Sequence, residues 1–373
     1  MKDKKDILIL MASFAGGGAE KVMIDLLHRF DKSRFNITVA VLWAYGPHLK
    51  SVPEGVELIP LFNRAPNFID TQTRTWRFIH NPLWRHRLRK ALEGRSFDVT
   101  ISFMEGQTAL LHSFIMDLAP VNISWVHGDI YVSHWYKWLL SRSDERAIYR
   151  QMDAVVFVSE GVRQAYLKAV GDHPNLQVIY NIIDRDRIIS RGEEFNVPHD
   201  GFTIISVGRL QPEKCQFRIL ETAAELRRRG HRFNVWLLGT GKLEEELKQL
   251  ARKLNVEDCV RFLGFQTNPY PYLKAADMFL LTSDAEGYPT VVCEALCMGK
   301  PVVATAITGT VELLQDNVGV LTGKDVSEIA DRVEHLMLNP EELSRYAASS
   351  REKGFTFAPD DVMKQIENLF IKQ

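Results

Sequence analysis

Short runs of apolar, β-rich residues recur along the first half of the chain, at 7–11, 37–42, 56–61, 99–103, 123–126 and 154–158, with amphipathic stretches of helical length such as 20–30 between several of them. Runs that are apolar almost throughout, rather than at every second residue, suit strands buried on both faces. That requires a parallel sheet with helices packed on either side, and excludes a β-sandwich. The pattern pauses once, at "DRDRIISRGEEFNVPHDG" (184–201), which is charged, holds two glycines and a proline, and shows no sustained apolar period. It resumes with runs at 202–207, 233–238, 260–263, 278–281, 301–304 and 319–321. The chain therefore reads as two doubly wound α/β domains, 1–183 and 202–358, joined by a linker over 184–201.

The length of 373 residues agrees, since one compact core seldom grows that large. A formal net charge of −1 gives no overall attraction to nucleic acid or to acidic partners, so any electrostatic binding must be local. The four cysteines, Cys215, Cys259, Cys293 and Cys297, lack zinc or redox spacing and read as reduced thiols of a cytoplasmic protein. The first apolar run is too short for a signal peptide, and no run approaches the roughly 18 apolar residues of a membrane span.

Open parallel sheets bind ligands beyond the carboxyl ends of their strands, and two such sheets facing each other would share one cleft. The motifs fall at strand ends. In "ILILMASFAGGGAEKV", Gly16, Gly17 and Gly18 stand between the first strand and its helix, where bare backbone can approach an anion or a sugar. The dinucleotide fingerprint fails there, because Lys21 replaces its third glycine; a plain tight turn is the alternative. "ISVGRLQPEKC" delivers Arg209 and Lys214 past a strand, a fork and a point charge suited to a diphosphate, although solvated surface cations would look the same. "LLGTGKLEEEL" is not a P-loop: Trp236 stands at the first glycine and Leu243 at the Ser/Thr.

The segment "DAEGYPTVVCEALCMGKPVVAT" (284–305) carries Glu286 and Glu294, eight residues apart. With 278–281 as strand, 282–288 as loop and Pro289 at the start of a helix, Glu286 lies just before the helix and Glu294 one turn into it. Both carboxylates would accept hydrogen bonds from sugar hydroxyls, while the N–H groups of Gly287, Tyr288 and Thr290 favour phosphate. A ligand with polyol and phosphate parts, a nucleotide sugar, satisfies both. Ordinary helix-start acids are the plainer reading, and a glycosidase pair would have to flank the bond it cleaves.

With these residues assembled, the chain resembles, over almost its whole length, the retaining glycosyltransferases of the GT-B fold, family 4 (group 1). The resemblance is carried by "GGGAE", "WVHGD" at 125–129, "VSE" at 158–160, "VIYNIID" at 178–184, "VGRLQPEK" at 207–214 with Gly208, and the E-x7-E pair Glu286 and Glu294. It implies two Rossmann-like domains facing across a cleft, the N-terminal one for the acceptor and the C-terminal one for the donor, with the last helix (359–373) returning to the first domain. It further implies that Arg209 and Lys214 bind the donor diphosphate, Glu294 the ribose and Glu286 the transferred sugar. His127 would bond the sugar from the other domain, Gly16–Gly18 would line the cleft, and Leu263, Gly264 and Gly239 would approach the nucleotide through backbone. Fixed charges and helix amides would stabilise the leaving group, which makes a metal unnecessary; the co-substrate would be a UDP- or GDP-sugar, with no other cofactor.

Two departures stand out: "TGTVE" places Thr308 before Gly309 where the family often has a glycine pair, and Cys215 follows Lys214 where a glycine or small residue is common. In the segment 71–95, Trp76, Phe78 and Trp84 interleave with Arg74, Arg77, Arg85, Arg87, Arg89 and Lys90, a mixture that suits either anionic lipid headgroups or a solvated helix with tryptophans in the core. A second aromatic run, 131–140, follows His127. The expectation is a cytoplasmic hexosyltransferase, peripheral on the inner membrane face, acting on a glycan or lipid-linked glycan in surface polysaccharide synthesis. Other readings are a nucleotide-sugar epimerase or inverting transferase of the same fold, or a non-catalytic nucleotide-sugar-binding module.

Overall fold

The computed structural model describes residues 4–66, 77–132, 134, 137 and 139–370. The chain divides into two compact units, Met1–Ile182 with Asp360–Gln373, and Ile183–Pro359.

The first unit is built on a parallel seven-stranded sheet in the order β3-β2-β1-β4-β5-β6-β7. Its strands are β1 (Lys5–Met11), β2 (Phe35–Trp43), β3 (Val56–Phe62), β4 (Val99–Ser102), β5 (Val121–Val126), β6 (Ala154–Phe157) and β7 (Leu176–Val178). Ile7, Leu8, Ile9 and Leu10 are all fully buried, the consequence of covering both faces of the sheet. Ile9 is registered between Val39 and Ile101, so β-branched side chains meet across the centre of the sheet. β3 closes one edge, which is why it tolerates Pro60. β7, at the other edge, is short and half-buried, and no apolar run announces it.

The last helix, Pro359–Leu369, belongs to this unit. Phe370 stacks on Phe30 at 6.1 Å and meets Phe35 edge-on at 5.7 Å, while Arg34 pairs with Glu367 at 2.6 Å and Lys5 Nζ donates to the Phe370 carbonyl at 2.8 Å.

The second unit holds a parallel six-stranded sheet in the order β10-β9-β8-β11-β12-β13. The strands are β8 (Thr203–Val207), β9 (Asn234–Leu238), β10 (Val260–Gly264), β11 (Met278–Leu281), β12 (Val302–Thr305) and β13 (Val320–Thr322). One core gathers Ile204, Leu220, Leu237, Met278, Val303 and Ile329. The strand order reverses between β8 and β11, and a crevice opens at such a point because the flanking connections leave toward opposite faces.

Where the sequence reads as a linker over 184–201, the structure forms a helix, Arg185–Gly192. Asp184 caps it by accepting from the Arg187 N–H at 3.1 Å, and Ile188 and Gly192 are buried. Two buried positions were enough to seat the helix but too few to show a period.

Candidate active site

Of the residues singled out in the second unit, Lys214 and Glu286 meet at its switch point. β8 runs out at Val207 into Gly208 and Arg209, and β11 runs out at Leu281 into the loop that carries Glu286. Backbone bonds stitch the neighbouring strand ends together: Gly208 N–H donates to Leu238 O at 2.9 Å, Leu210 N–H to Thr240 O at 3.0 Å, and Gly239 N–H to Gly264 O at 2.8 Å. Gly239 has φ +129°, and a Cβ there would overlap the Gly208 carbonyl. The glycine of "LLGTGK" is thus required by the approach of two loops of this unit. Gly264 ends β10 at φ +67° after a register shift at Phe262, and the Leu263 carbonyl accepts from the Gln266 amide at 2.6 Å.

Lys214 ends a short 3-10 turn, Pro212–Lys214, and its Nζ donates to Glu286 Oε1 at 2.5 Å. Ser283 Oγ donates to the same oxygen at 2.8 Å. The loop bearing Glu286 is fixed in turn: Thr305 Oγ1 donates to Ser283 O at 2.6 Å, and Gly309 N–H to Glu286 O at 3.1 Å. The "TGT" sequence therefore packs its glycine on this loop, and Thr308 opens the following helix, Thr308–Leu314. One of the three ammonium donors of Lys214 is spent on Glu286, which leaves two for an anion.

Arg209 lies apart from this pair: its guanidinium is 3.8 Å from Glu213, and its side chain is 46% exposed. Glu294 sits one turn into the helix Thr290–Cys297 and is 2% exposed, so the structure places it deeper than the sequence pattern suggests. Pro289 is the N-cap, one residue earlier than its expected place inside the helix; Tyr288 and Thr290 beside it are buried. No Asp-x-Asp signature was expected in this chain, yet Asp184-Arg185-Asp186 has that spacing; Asp184 caps its own helix and Asp186 pairs with Arg185.

In the first unit, Gly16 takes φ +95° before Gly17, the N-cap of the helix Gly18–Arg29. His127 follows β5. Its ring lies 4.7 Å from that of Phe103, and its Nε2 is buried with no hydrogen-bond partner among the described residues. Burial drives its pKa down to about 3, so the imidazole is neutral at physiological pH and carries no charge to offer a ligand. Its backbone N–H donates to Glu105 Oε2 at 2.9 Å. Glu105, itself buried and shifted upward by that burial, was not singled out in the sequence; its signal is an acid just past an apolar strand, at the ligand-binding end of the sheet. Ser283 and Asp284 were missed likewise: Ser283 bonds Glu286 within the same loop, three residues on, whereas the Cys215 thiol that meets Asp284 lies on another loop, where local spacing cannot show it.

In the segment 71–95, Trp84 is buried and meets Trp43 edge-on at 6.3 Å. Arg87 donates to Leu61 O at 2.8 Å, and Arg89 to Asp117. Trp84 thus takes the core alternative, while Arg74, Trp76 and the side chains of Arg77 and Phe78 lie outside the described residues. So do Trp135, Tyr136 and Trp138 of the second aromatic run. Among the described residues no helix is long and apolar enough to cross a membrane.

Two family models match the chain: Glycosyltransferase Family 4 over residues 16–187 and Glycosyl transferases group 1 over residues 190–353. A lipopolysaccharide core biosynthesis glycosyltransferase, LpsE of Rhizobium meliloti, is 29% identical over 45% of this chain and 48% of its own length. A GDP-mannose-dependent alpha-(1-6)-phosphatidylinositol monomannoside mannosyltransferase of Mycobacterium tuberculosis is 30% identical over 58% of this chain and 61% of its own. The chain spans about half the length of the curated relatives it matches. Among solved structures, Anabaena Alr3699/HepE in complex with UDP and glucose superposes with a TM-score of 0.77 at 21% identity, covering 98% of each chain.

Proposed function

Because the chain belongs to the group 1 glycosyltransferases, with their GT-B fold, we propose that it moves a hexosyl group from a UDP- or GDP-sugar to a hydroxyl of a glycan or lipid-linked glycan, with retained anomeric configuration. The observation that carries this reading is the Lys214–Glu286 pair at the switch point of the second sheet. In it an ammonium with two unspent donors lies against a carboxylate that can accept from sugar hydroxyls, so one small site offers a partner to each end of the bond that breaks. As the glycosidic C–O bond cleaves, negative charge grows on the departing diphosphate. Lys214 and the half-exposed Arg209 are the cations on this rim suited to meet it, already fixed on loops stitched to their neighbours. Glu286 is neutralised by Lys214 and bonded by Ser283, which suits orienting a sugar better than attacking it. Retention rests on the family resemblance.

The relatives support both bases, one naming GDP-mannose and one solved with UDP and glucose, and two carry lipid-bearing compounds in their names, a lipopolysaccharide core and a phosphatidylinositol monomannoside. A lipid-linked acceptor at the cytoplasmic face of a membrane follows as the proposal for this chain, with the exposed Arg85 and Lys90 as cations available to headgroups.

The test is the melting temperature in the presence of UDP, GDP, their hexose conjugates and NAD. A ligand at 100 times its dissociation constant adds about 2.7 kcal/mol. Stabilisation by one nucleotide series, lost in Arg209→Ala, supports the reading and names the base. Stabilisation by NAD alone, or by none of these ligands, overturns it.

A further inference from the structure

Lys214 is bracketed by a single residue of another loop. Asp284 donates its backbone N–H to Glu213 O at 2.8 Å, and its Oδ2 accepts from the Cys215 thiol at 3.1 Å, an acceptor whose charge favours it over the Pro212 carbonyl at the same distance, so both neighbours of Lys214 are tied to it. Asp284 also lies two residues before Glu286 and next to Ser283, which bonds Glu286. Its Oδ1 accepts from Arg218 Nη1 at 2.9 Å and from Lys324 Nζ at 2.9 Å, and Arg218 reaches Thr282 O at 3.0 Å. One carboxylate therefore joins the ends of β8, β11 and β13.

Cys215 makes the clamp unusual. It stands in the left-handed region at φ +49°, where a Cβ is strained and a glycine is not. A turn selected only for its shape would favour glycine there. The side chain adds a donor instead: burial and the Asp284 carboxylate push the thiol up to about 11, so it keeps its proton, while Asp284 stays ionised at about 2, because bonds from Lys324, Cys215 and Arg218 outweigh a desolvation that acts the other way.

We propose that Asp284, acting through Cys215, is a positioning residue that holds the Lys214 turn in register with Glu286 for sugar transfer. The proposal deepens the functional reading above and rests on it. Without the clamp the turn keeps its shape within the unit, but the ammonium wanders from the place where the diphosphate charge develops, and misplacement of about 1 Å costs up to about a hundredfold in rate.

The experiment compares Cys215→Gly, Cys215→Ser and Asp284→Ala with the unaltered full-length protein in three readouts: melting temperature, release of nucleoside diphosphate from UDP- and GDP-hexoses, and acetylation of Lys214 by acetic anhydride followed by peptide mapping. Cys215→Gly relieves the backbone and removes the donor, so it should melt no lower than the unaltered protein yet lose about tenfold or more in kcat, with KM changed much less. Its Lys214 should acetylate several-fold faster. Cys215→Ser keeps a donor and should restore both, and Asp284→Ala should match Cys215→Gly in kcat and labelling, whatever its melting temperature. Turnover within twofold of the unaltered protein in both Cys215→Gly and Asp284→Ala, or Lys214 labelling unchanged in them, overturns the proposal while the functional reading stands. Failure of the unaltered protein to release nucleoside diphosphate from any donor overturns that reading, and the role in transfer falls with it.

Discussion

Glu286 has two donors on one oxygen, Lys214 and Ser283, which leaves its second oxygen for a ligand hydroxyl. Glu286→Gln preserves the shape but removes the charge that attracts Lys214, so kcat should fall by about a hundredfold while UDP or GDP affinity changes less than threefold; calorimetry beside initial rates checks the split. His127 makes a prediction of different sign. Its folded pKa of about 3 lies below the ordinary 6.5, so between those values the unfolded chain binds a proton that the folded one refuses. The stability it contributes is present above pH 6.5 and is lost as pH falls, at about 1.4 kcal/mol per pH unit. Glu105 is shifted upward and works in the opposite direction, so the comparison must be with His127→Asn. In urea titrations at pH 7 and pH 5, the variant should lose about 2 kcal/mol less than the unaltered protein. A pH–rate profile should likewise show no inflection from His127 between pH 5.5 and 7.

At the level of elements, the last helix buries Met363 and Ile366, and the ring of Phe370 just beyond it closes the packing. Phe370 fills the space against Phe30 and Phe35 and is nearly inaccessible. Phe370→Ala should cost that unit about 3–5 kcal/mol in urea unfolding, because the two facing rings lose their contacts to a cavity they cannot close. The core strands were legible in the sequence for a related reason: a strand covered on both faces must be apolar along its length, and Ile7–Met11 or Met278–Leu281 can hardly be read otherwise. β7 and the helix Arg185–Gly192 were not, since an edge strand and a two-turn helix bury too few residues to leave a period. The candidate site divides in the same way. Lys214 and Glu286 could be picked out by type and by their place at strand ends, but their 2.5 Å contact joins residues far apart in the chain. Asp284, in the same quoted stretch, looked like one more loop acid, because what distinguishes it is the company it keeps on other loops.

On the scale of the whole molecule, the candidate donor residues Arg209, Lys214, Glu286 and Glu294 all belong to the unit Ile183–Pro359. Addition of the matching UDP or GDP should therefore slow amide hydrogen exchange most in the loops after β8 and β11, and protection confined to the first unit would contradict the assignment. The two units also differ in how the chain supplies them. The second is one uninterrupted stretch, whereas the first is begun at Met1, left at Ile182 and completed only by Asp360–Gln373. During synthesis the first sheet must wait for its closing aromatic residue, Phe370, until the whole of the second unit has been made, while the second unit has every residue it needs before then. A chain severed after Pro359 would keep a later unit that can fold and an earlier one that exposes Phe30 and Phe35, a form that quality control can recognise by its apolar surface.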